Sequence, residues 1–223
     1  MTEAIGAILP LALGIAISPI PIIAAILMLL SPRARVTSVG FLLGWMLGIV
    51  VAVTVFTLLA SALPDEGSDA SAPILGTIQL VLGALLLLLA LRQWRGRPKA
   101  GEQATLPKWM QAIDQITFPR ALGLGFLLSG LNPKNLLLGA SAGVAIGSAA
   151  LDAGAIAVVI VVFTLLAAST VAVPVVAYLI ASEKLRGPLD ALREWLGREN
   201  AVIMAILLLV IGVTLVGKGI AAF

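Results

Sequence analysis

Residues 121–149 read ALGLGFLLSGLNPKNLLLGASAGVAIGSA. The run is long enough to cross a bilayer, because a span needs about 20 apolar residues for a hydrocarbon core of roughly 30 Å. Two residues in its middle are foreign to an ordinary span. Pro133 has no amide to donate and disrupts the helix four residues back, and Lys134 is the one charge in the run. Counted from Ala121 at about 1.5 Å per residue, Lys134 lies roughly 20 Å along the helix, too deep for its side chain to reach the interface easily. A charge near the bilayer centre costs at least about 2.5–3.5 kcal/mol, so it normally marks a site or a pathway. The stretch therefore predicts an all-α integral membrane protein whose fourth span is broken for a functional reason.

Five further apolar runs, 4–30, 36–63, 74–91, 153–182 and 201–220, bring the expected count to six transmembrane helices. Several exceed what a straight crossing needs, so tilts, kinks or broken helices are expected. The composition agrees: of 223 residues, 61% are hydrophobic and 11% charged, against about 25% charged in soluble domains. There is no cysteine and no histidine. Disulfides, thiolate nucleophiles, imidazole relays and Cys- or His-ligated metals are thereby excluded. No Gly-Lys-Ser/Thr phosphate cradle occurs either. The chain is expected to be no enzyme, with no catalytic residues, no metal and no cofactor. Met1-Thr2-Glu3 carries no basic residue, so the first run is expected to be a retained helix and not a cleaved signal.

The net charge of +3 and the pI near 9.7 report topology, and no nucleic-acid partner is expected. Short cytoplasmic loops are enriched in Lys and Arg. Arg33 and Arg35 follow the first run; Arg92, Arg95, Arg97, Lys99, Lys108 and Arg120 the third; Lys184, Arg186, Arg193 and Arg198 the fifth. The loops at 64–69 and near Asp152 hold no cation. A multi-pass plasma-membrane protein with both termini extracytoplasmic is expected. Pro107 opens a stretch with apolar Trp109, Met110, Ile113, Ile116 and Phe118, and Pro188 one with Leu189, Leu192, Trp195 and Leu196; both patterns fit helices lying in the interface.

Two short internal matches suggest duplication. Gly14–Pro19 (GIAISP) pairs with Gly125–Gly130 (GFLLSG), and Leu80–Gly83 (LVLG) with Leu209–Gly212 (LVIG). They keep the order of a three-plus-three repeat, and because three is odd the halves face opposite ways. The expected architecture is thus two inverted-topology three-helix repeats with Pro-broken helices 1 and 4, a plan of secondary transporters that bind substrate near the midplane. The repeats are 1–91 and 121–223, the latter including the amphipathic segment 183–199, with a basic loop over 92–120 between them. Pro19, Pro21 and Pro133 are the break points. Non-helical backbone inside a bilayer persists only where it is buried in protein or lines a cavity. Gly40, Gly44 and Gly48 form a small-residue stripe that allows close helix contact, within the chain or between copies.

No Asp or Glu lies inside a span to pair with Lys134. Three arrangements remain open: the amine is neutral, it is held by carbonyls and amides such as those of Asn132 and Asn135, or an anionic substrate is its counter-ion. A lysine that only caps carbonyls freed by Pro133 is the structural alternative. A cation without carboxylates suits a phosphate, sulfate or carboxylate group better than a cationic substrate. The expected substrate-binding residues are Lys134, Asn132, Asn135, Ser129, Ser18, Pro19, Pro21 and Pro133, with Ser169 and Thr170 beside the kink-forming Pro174. If transport is proton-coupled, Lys134 is the group to titrate.

Ser18-Pro19-Ile20-Pro21-Ile22-Ile23, Ser31-Pro32-Arg33-Ala34-Arg35, Gln93-Trp94-Arg95, Pro107-Lys108-Trp109 and above all Asn132-Pro133-Lys134-Asn135-Leu136 resemble the GAP or Sap proteins. These are glycopeptidolipid and sulfolipid addressing proteins of the lysine-exporter (LysE) superfamily. The resemblance covers essentially the whole chain. It implies a six-helix membrane protein that helps move complex glycolipids toward the cell surface. An amino-acid exporter of the wider superfamily needs a buried carboxylate for the substrate ammonium, and none is found inside the spans here; the related thiol-disulfide carriers need cysteines, and there are none. The expected function is a transporter or flippase for an anionic or glycosylated lipid, with a membrane lipid as substrate and a homo-oligomer or lipid-export machinery as further partners. The alternatives are a non-transporting scaffold for a lipid synthesis and export complex, or a small-molecule exporter.

Overall fold

Prolines and polar caps divide the apolar runs into shorter helices than hydropathy alone suggests. The computed structural model describes residues 1–62, 71–97, 113 and 115–223. The loop at 64–69 and most of the expected interfacial stretch from Pro107, with Lys99, Lys108, Trp109 and Met110, lie outside the described residues. The helices are α1 (Thr2–Ala16), α2 (Pro19–Leu30), α3 (Ala34–Ser61), α4 (Ser71–Arg95), α5 (Phe118–Gly130), α6 (Pro133–Gly147) and α7 (Ala153–Ile220). Helix α7 leaves helical geometry at Ala181 (φ −139°, ψ 53°), which separates the arms Ala153–Ala181 and Gly187–Ile220.

Among the described residues, four helices are long and apolar enough to cross a membrane: α3, α4 and the two arms of α7. Helices α1 and α2, bent by 53° at their junction, make a fifth when taken as one broken span. The run 121–149 is broken before Pro133, as expected, into α5 and α6, each too short to count alone as a span. Two expectations change. The bend in the fifth run falls at Ala181 and not at Pro174, which stays inside the helix. The segment 183–199 is no separate surface helix, because from Gly187 onward it is the start of the second arm.

Close backbone approach holds these helices together, as expected where lipid offers no hydrophobic drive for helix association. The glycine stripe of α3 lies within the chain, on α5. A Cβ on Gly44 would overlap the Leu122 carbonyl, and one on Gly125 the Phe41 carbonyl. Gly40 faces Phe118, and Gly48 faces Ser129 and Phe126. The same face of α3 continues onto α6, where Gly143 meets Phe56 and Gly147 meets Thr57 and Ala60. Helices α5 and α6 therefore lie end to end along the length of α3. Phe41 and Trp45, buried beside this seam, stack with ring centroids 6.3 Å apart.

A second seam joins α4 to the second arm of α7. Gly76 lies against Gly219 and Gly83 against Gly212. The pairs are seven residues apart on both helices and run in opposite senses, so the helices are antiparallel. Contacts of Ser61 with Gly147, of Gly76 with Phe223 and of Gly40 with Phe118 sort the helix ends. One end of the bundle holds the chain termini, and the other holds Arg33, Arg35, Arg92, Arg95, Arg97 and Arg120.

Candidate functional site

Where a helix stops, its last carbonyls lose their amide partners, and inside a membrane those carbonyls must be met by protein. Helix α1 stops at Ala16. Ile17 closes it, Ser18 caps α2, and Pro19 takes the first helical position, where a missing amide costs nothing. Helix α5 stops in the same way: Leu131 closes it, Asn132 caps α6, and Pro133 is again first. The Asn132 side-chain oxygen accepts the Lys134 backbone amide at 3.0 Å, an N-cap bond worth about 1 kcal/mol.

Lys134 is thus placed in the first turn of α6, and its side chain runs across to α1. The ammonium Nζ donates to the Gly14 carbonyl at 2.9 Å and contacts Met204 Sδ, on the second arm of α7, at 3.5 Å. The residue is 7% exposed. No carboxylate pairs with it among the described residues, whose one ion pair joins Arg193 and Asp190 at the surface. Thr170 Oγ1, from the first arm, donates to the Ala16 carbonyl at 2.5 Å. Two carbonyls released at the end of α1 are therefore met by side chains from the second half of the chain. Asn135, 1% exposed, donates from Nδ2 to the Leu128 carbonyl at 2.9 Å, and its Oδ1 is buried without a partner.

The expected site residues are in part assembled. Lys134 and Thr170 meet the end of α1 just before Ser18 and Pro19, and Ser18 and Pro21 are buried in the adjoining turn. Of the arrangements left open, holding of the ammonium by the Asn132 and Asn135 amides is not the one found: the Asn132 oxygen and Asn135 Nδ2 serve backbone groups of the α5–α6 break. The carbonyl that Lys134 caps belongs to α1 and is not one released by Pro133. Ser129 donates within its own helix to Gly125 and Phe126 and faces Gly48 on α3, and Ser169 donates to Leu166. Neither hydroxyl bonds to Lys134. Gly14 and Met204 escaped the sequence reading. Gly14 had a signal, since it lies within one turn of the Pro19 break, whereas Met204 had none.

A cavity of about 90 Å³ lies further along the same three helices, toward the end with the termini. Ala7, Pro10, Ser141, Ala145, Thr214 and Lys218 are among its lining residues. Leu138, Leu207 and Ile211 pack on Gly14, between this cavity and Lys134. These three side chains form an apolar plug at the level of Gly14, and Ile211 also lines the cavity. Among the described residues no cluster of His, Cys, Asp or Glu could hold a metal.

Comparison with known proteins adds one match. Residues 8–221 match the model of a protein family described as Sap, sulfolipid-1-addressing protein. No curated protein and no solved structure matches the chain.

Proposed function

The chain belongs to the Sap, sulfolipid-1-addressing protein, family, and from that premise we propose that it moves an anionic or glycosylated lipid across the plasma membrane by alternating access around Lys134. The carrying observation is the buried ammonium at the junction of two broken helices, with one carbonyl and one thioether as its partners. An ammonium has three donors, so one N–H remains for an anion. The Gly14 carbonyl is a neutral partner that a sulfate or phosphate oxygen can displace with a charge-assisted bond roughly twice as strong. Displacement would release the end of α1, and the 53° bend between α1 and α2 is the hinge on which that release acts. Substrate binding and helix movement are in this way one event.

The proposal takes the chain as six crossings in two inverted repeats, with α1–α2 and α5–α6 as equivalent broken spans. Support comes from the breaks themselves. Each has a polar N-cap followed by proline, and the carbonyls four residues before the caps, those of Gly14 and Leu128, are both met by side chains of α6, Lys134 and Asn135. By position at the break Ser18 then corresponds to Asn132, three residues beyond the Ser129 that the sequence match pairs with it. Equivalent glycines Gly83 and Gly212 touch each other, as residues beside a two-fold axis do. The arginine-bearing end is the cytoplasmic one by the positive-inside rule, and the termini then lie outside. Coupling to protons belongs to the same proposal, with Lys134 as the titrating group.

Purified protein in proteoliposomes is expected to move labelled anionic lipid between leaflets with no other protein present. Absence of movement with every anionic and glycosylated lipid tried would overturn intrinsic transport in favour of a scaffold that recruits a larger exporter. The plug gives a separate expectation. Because the chain has no native cysteine, single cysteines report water access directly. Ala145→Cys, which lines the cavity, is expected to react with a membrane-impermeant thiosulfonate added outside. Leu138→Cys, in the plug, is expected not to react until substrate is supplied. Equal labelling of both without substrate would remove the plug from the mechanism.

A further inference from the structure

On the end of the bundle that carries the arginines, a groove of about 470 Å³ opens between α4 and the second arm of α7. Its origin is the small-residue register of that seam. One further seven-residue step beyond the Gly83–Gly212 contact brings Ala90 and Ala205 to the same level, and both are buried on the groove floor. Leu91, Trp94, Ile206 and Leu209 form its walls, and all four are exposed. In a membrane this is a concave apolar slot turned toward lipid tails.

Cations follow its lining residues along both helices. Arg92 and Arg95 flank Trp94 in the last turn of α4. The Arg97 guanidinium lies 4.0 Å over the Trp94 ring and donates to the Trp94 carbonyl at 2.8 Å. A guanidinium stacked and bonded in this way is held in place before any ligand arrives. Arg198 lies seven residues before Ala205 on the second arm, toward the same end as Arg97 beyond the close of α4, and both are exposed. Glu199, on the same turn as Arg198, and exposed Glu194, one turn away on the same face, are the neighbouring acids; Arg193 and Asp190 pair with each other at 3.2 Å. Four guanidinium groups thus stand against two carboxylates toward this end of the slot.

We propose that this groove is a binding site for one anionic lipid, with an acyl chain lying in the slot over Ala90 and Ala205 and the headgroup held among Arg92, Arg95, Arg97 and Arg198. Basic side chains at a membrane surface attract anionic headgroups, and the groove gives that attraction a fixed address. The site is separate from Lys134, and its occupancy does not depend on whether the chain transports.

The test uses the full chain in phosphatidylcholine vesicles that carry trace phosphatidylglycerol or phosphatidylcholine with a photoreactive diazirine in one acyl chain. Adducts are mapped by peptide mass. Phosphatidylglycerol adducts are expected to concentrate on 87–94 and 205–209, at least about five-fold above those at Leu58 and Val173, which are more exposed. Ile206→Trp fills the groove from an exposed wall and is expected to remove most of that labelling while the protein still elutes as the wild type does. Replacing the four arginines with Gln is expected to lower phosphatidylglycerol labelling to the phosphatidylcholine level. Labelling that follows exposure alone, equal labelling by the two probes in the wild type, or unchanged labelling in Ile206→Trp would each overturn the proposal.

Discussion

Lys134→Met is expected to abolish lipid movement in proteoliposomes while leaving folded protein in the membrane. Methionine is unbranched like lysine, one heavy atom shorter, and removes the charge. Loss of a buried charged partner costs about 2–5 kcal/mol of binding, roughly 30- to 4,000-fold. The cost to the fold is smaller because two effects oppose each other. The Gly14 carbonyl loses its donor, at about 1–3 kcal/mol for a buried orphan. Against this, the burial of an ammonium is relieved, worth at least about 2.5 kcal/mol on insertion scales. The unfolding midpoint in detergent is therefore expected to move little. This contrast separates the transport role from carbonyl capping. If Lys134→Met moved lipid at the wild-type rate, the cation would be a structural cap alone. Parallel loss of transport and of folded protein would likewise assign it to the fold.

Gly44→Ala is expected to be the most destabilising single-methyl change in the chain, because the new Cβ falls on the Leu122 backbone carbonyl. A backbone atom has no rotamer by which to move aside, so α3 and α5 must separate along a seam where Gly125 meets Phe41 equally closely. Overpacking of this kind costs about 1–3 kcal/mol or more, and here it also parts the dispersion contacts that hold membrane helices together. Gly123→Ala is the control. It lies on the same helix, two residues from Gly125, with nothing within 4 Å of the added methyl. There the change is expected to stabilise slightly, by about 0.5–1 kcal/mol, because alanine is the better helix former. Reversible unfolding in mixed micelles reads both. Similar midpoints for the two variants would show that the seam is looser than its geometry.

The same two residues show how far the chain could be read in advance. That Gly40, Gly44 and Gly48 mark a close approach follows from their four-residue spacing, but their partner could equally have been a second copy. Only the position of α5 along α3 decides it. Lys134 was legible as a buried charge from hydropathy, and the breaks from Pro19, Pro21 and Pro133. The neighbours of the ammonium were not. Asn132 and Asn135 lie within two residues of Lys134 in sequence, yet their side-chain amides serve backbone groups of their own break, and the partner is Gly14, 120 residues away. The fourth apolar run was legible as a span broken at Pro133; that its two halves lie end to end along α3 came only from the packing of the helices.

What the sequence determined by itself is the set of properties that belong to one segment at a time: apolar length, charge placement and proline breaks. These follow from transfer of side chains to lipid and from local backbone hydrogen bonding, which need no distant partner. The tertiary structure alone decided which carbonyl meets which donor, which glycine meets which backbone, and where Leu138, Leu207 and Ile211 close the path to Lys134. A hydrogen bond works only within about 3 Å and a methyl clashes only on contact, so these depend on how separate helices are placed, and no single segment carries that placement.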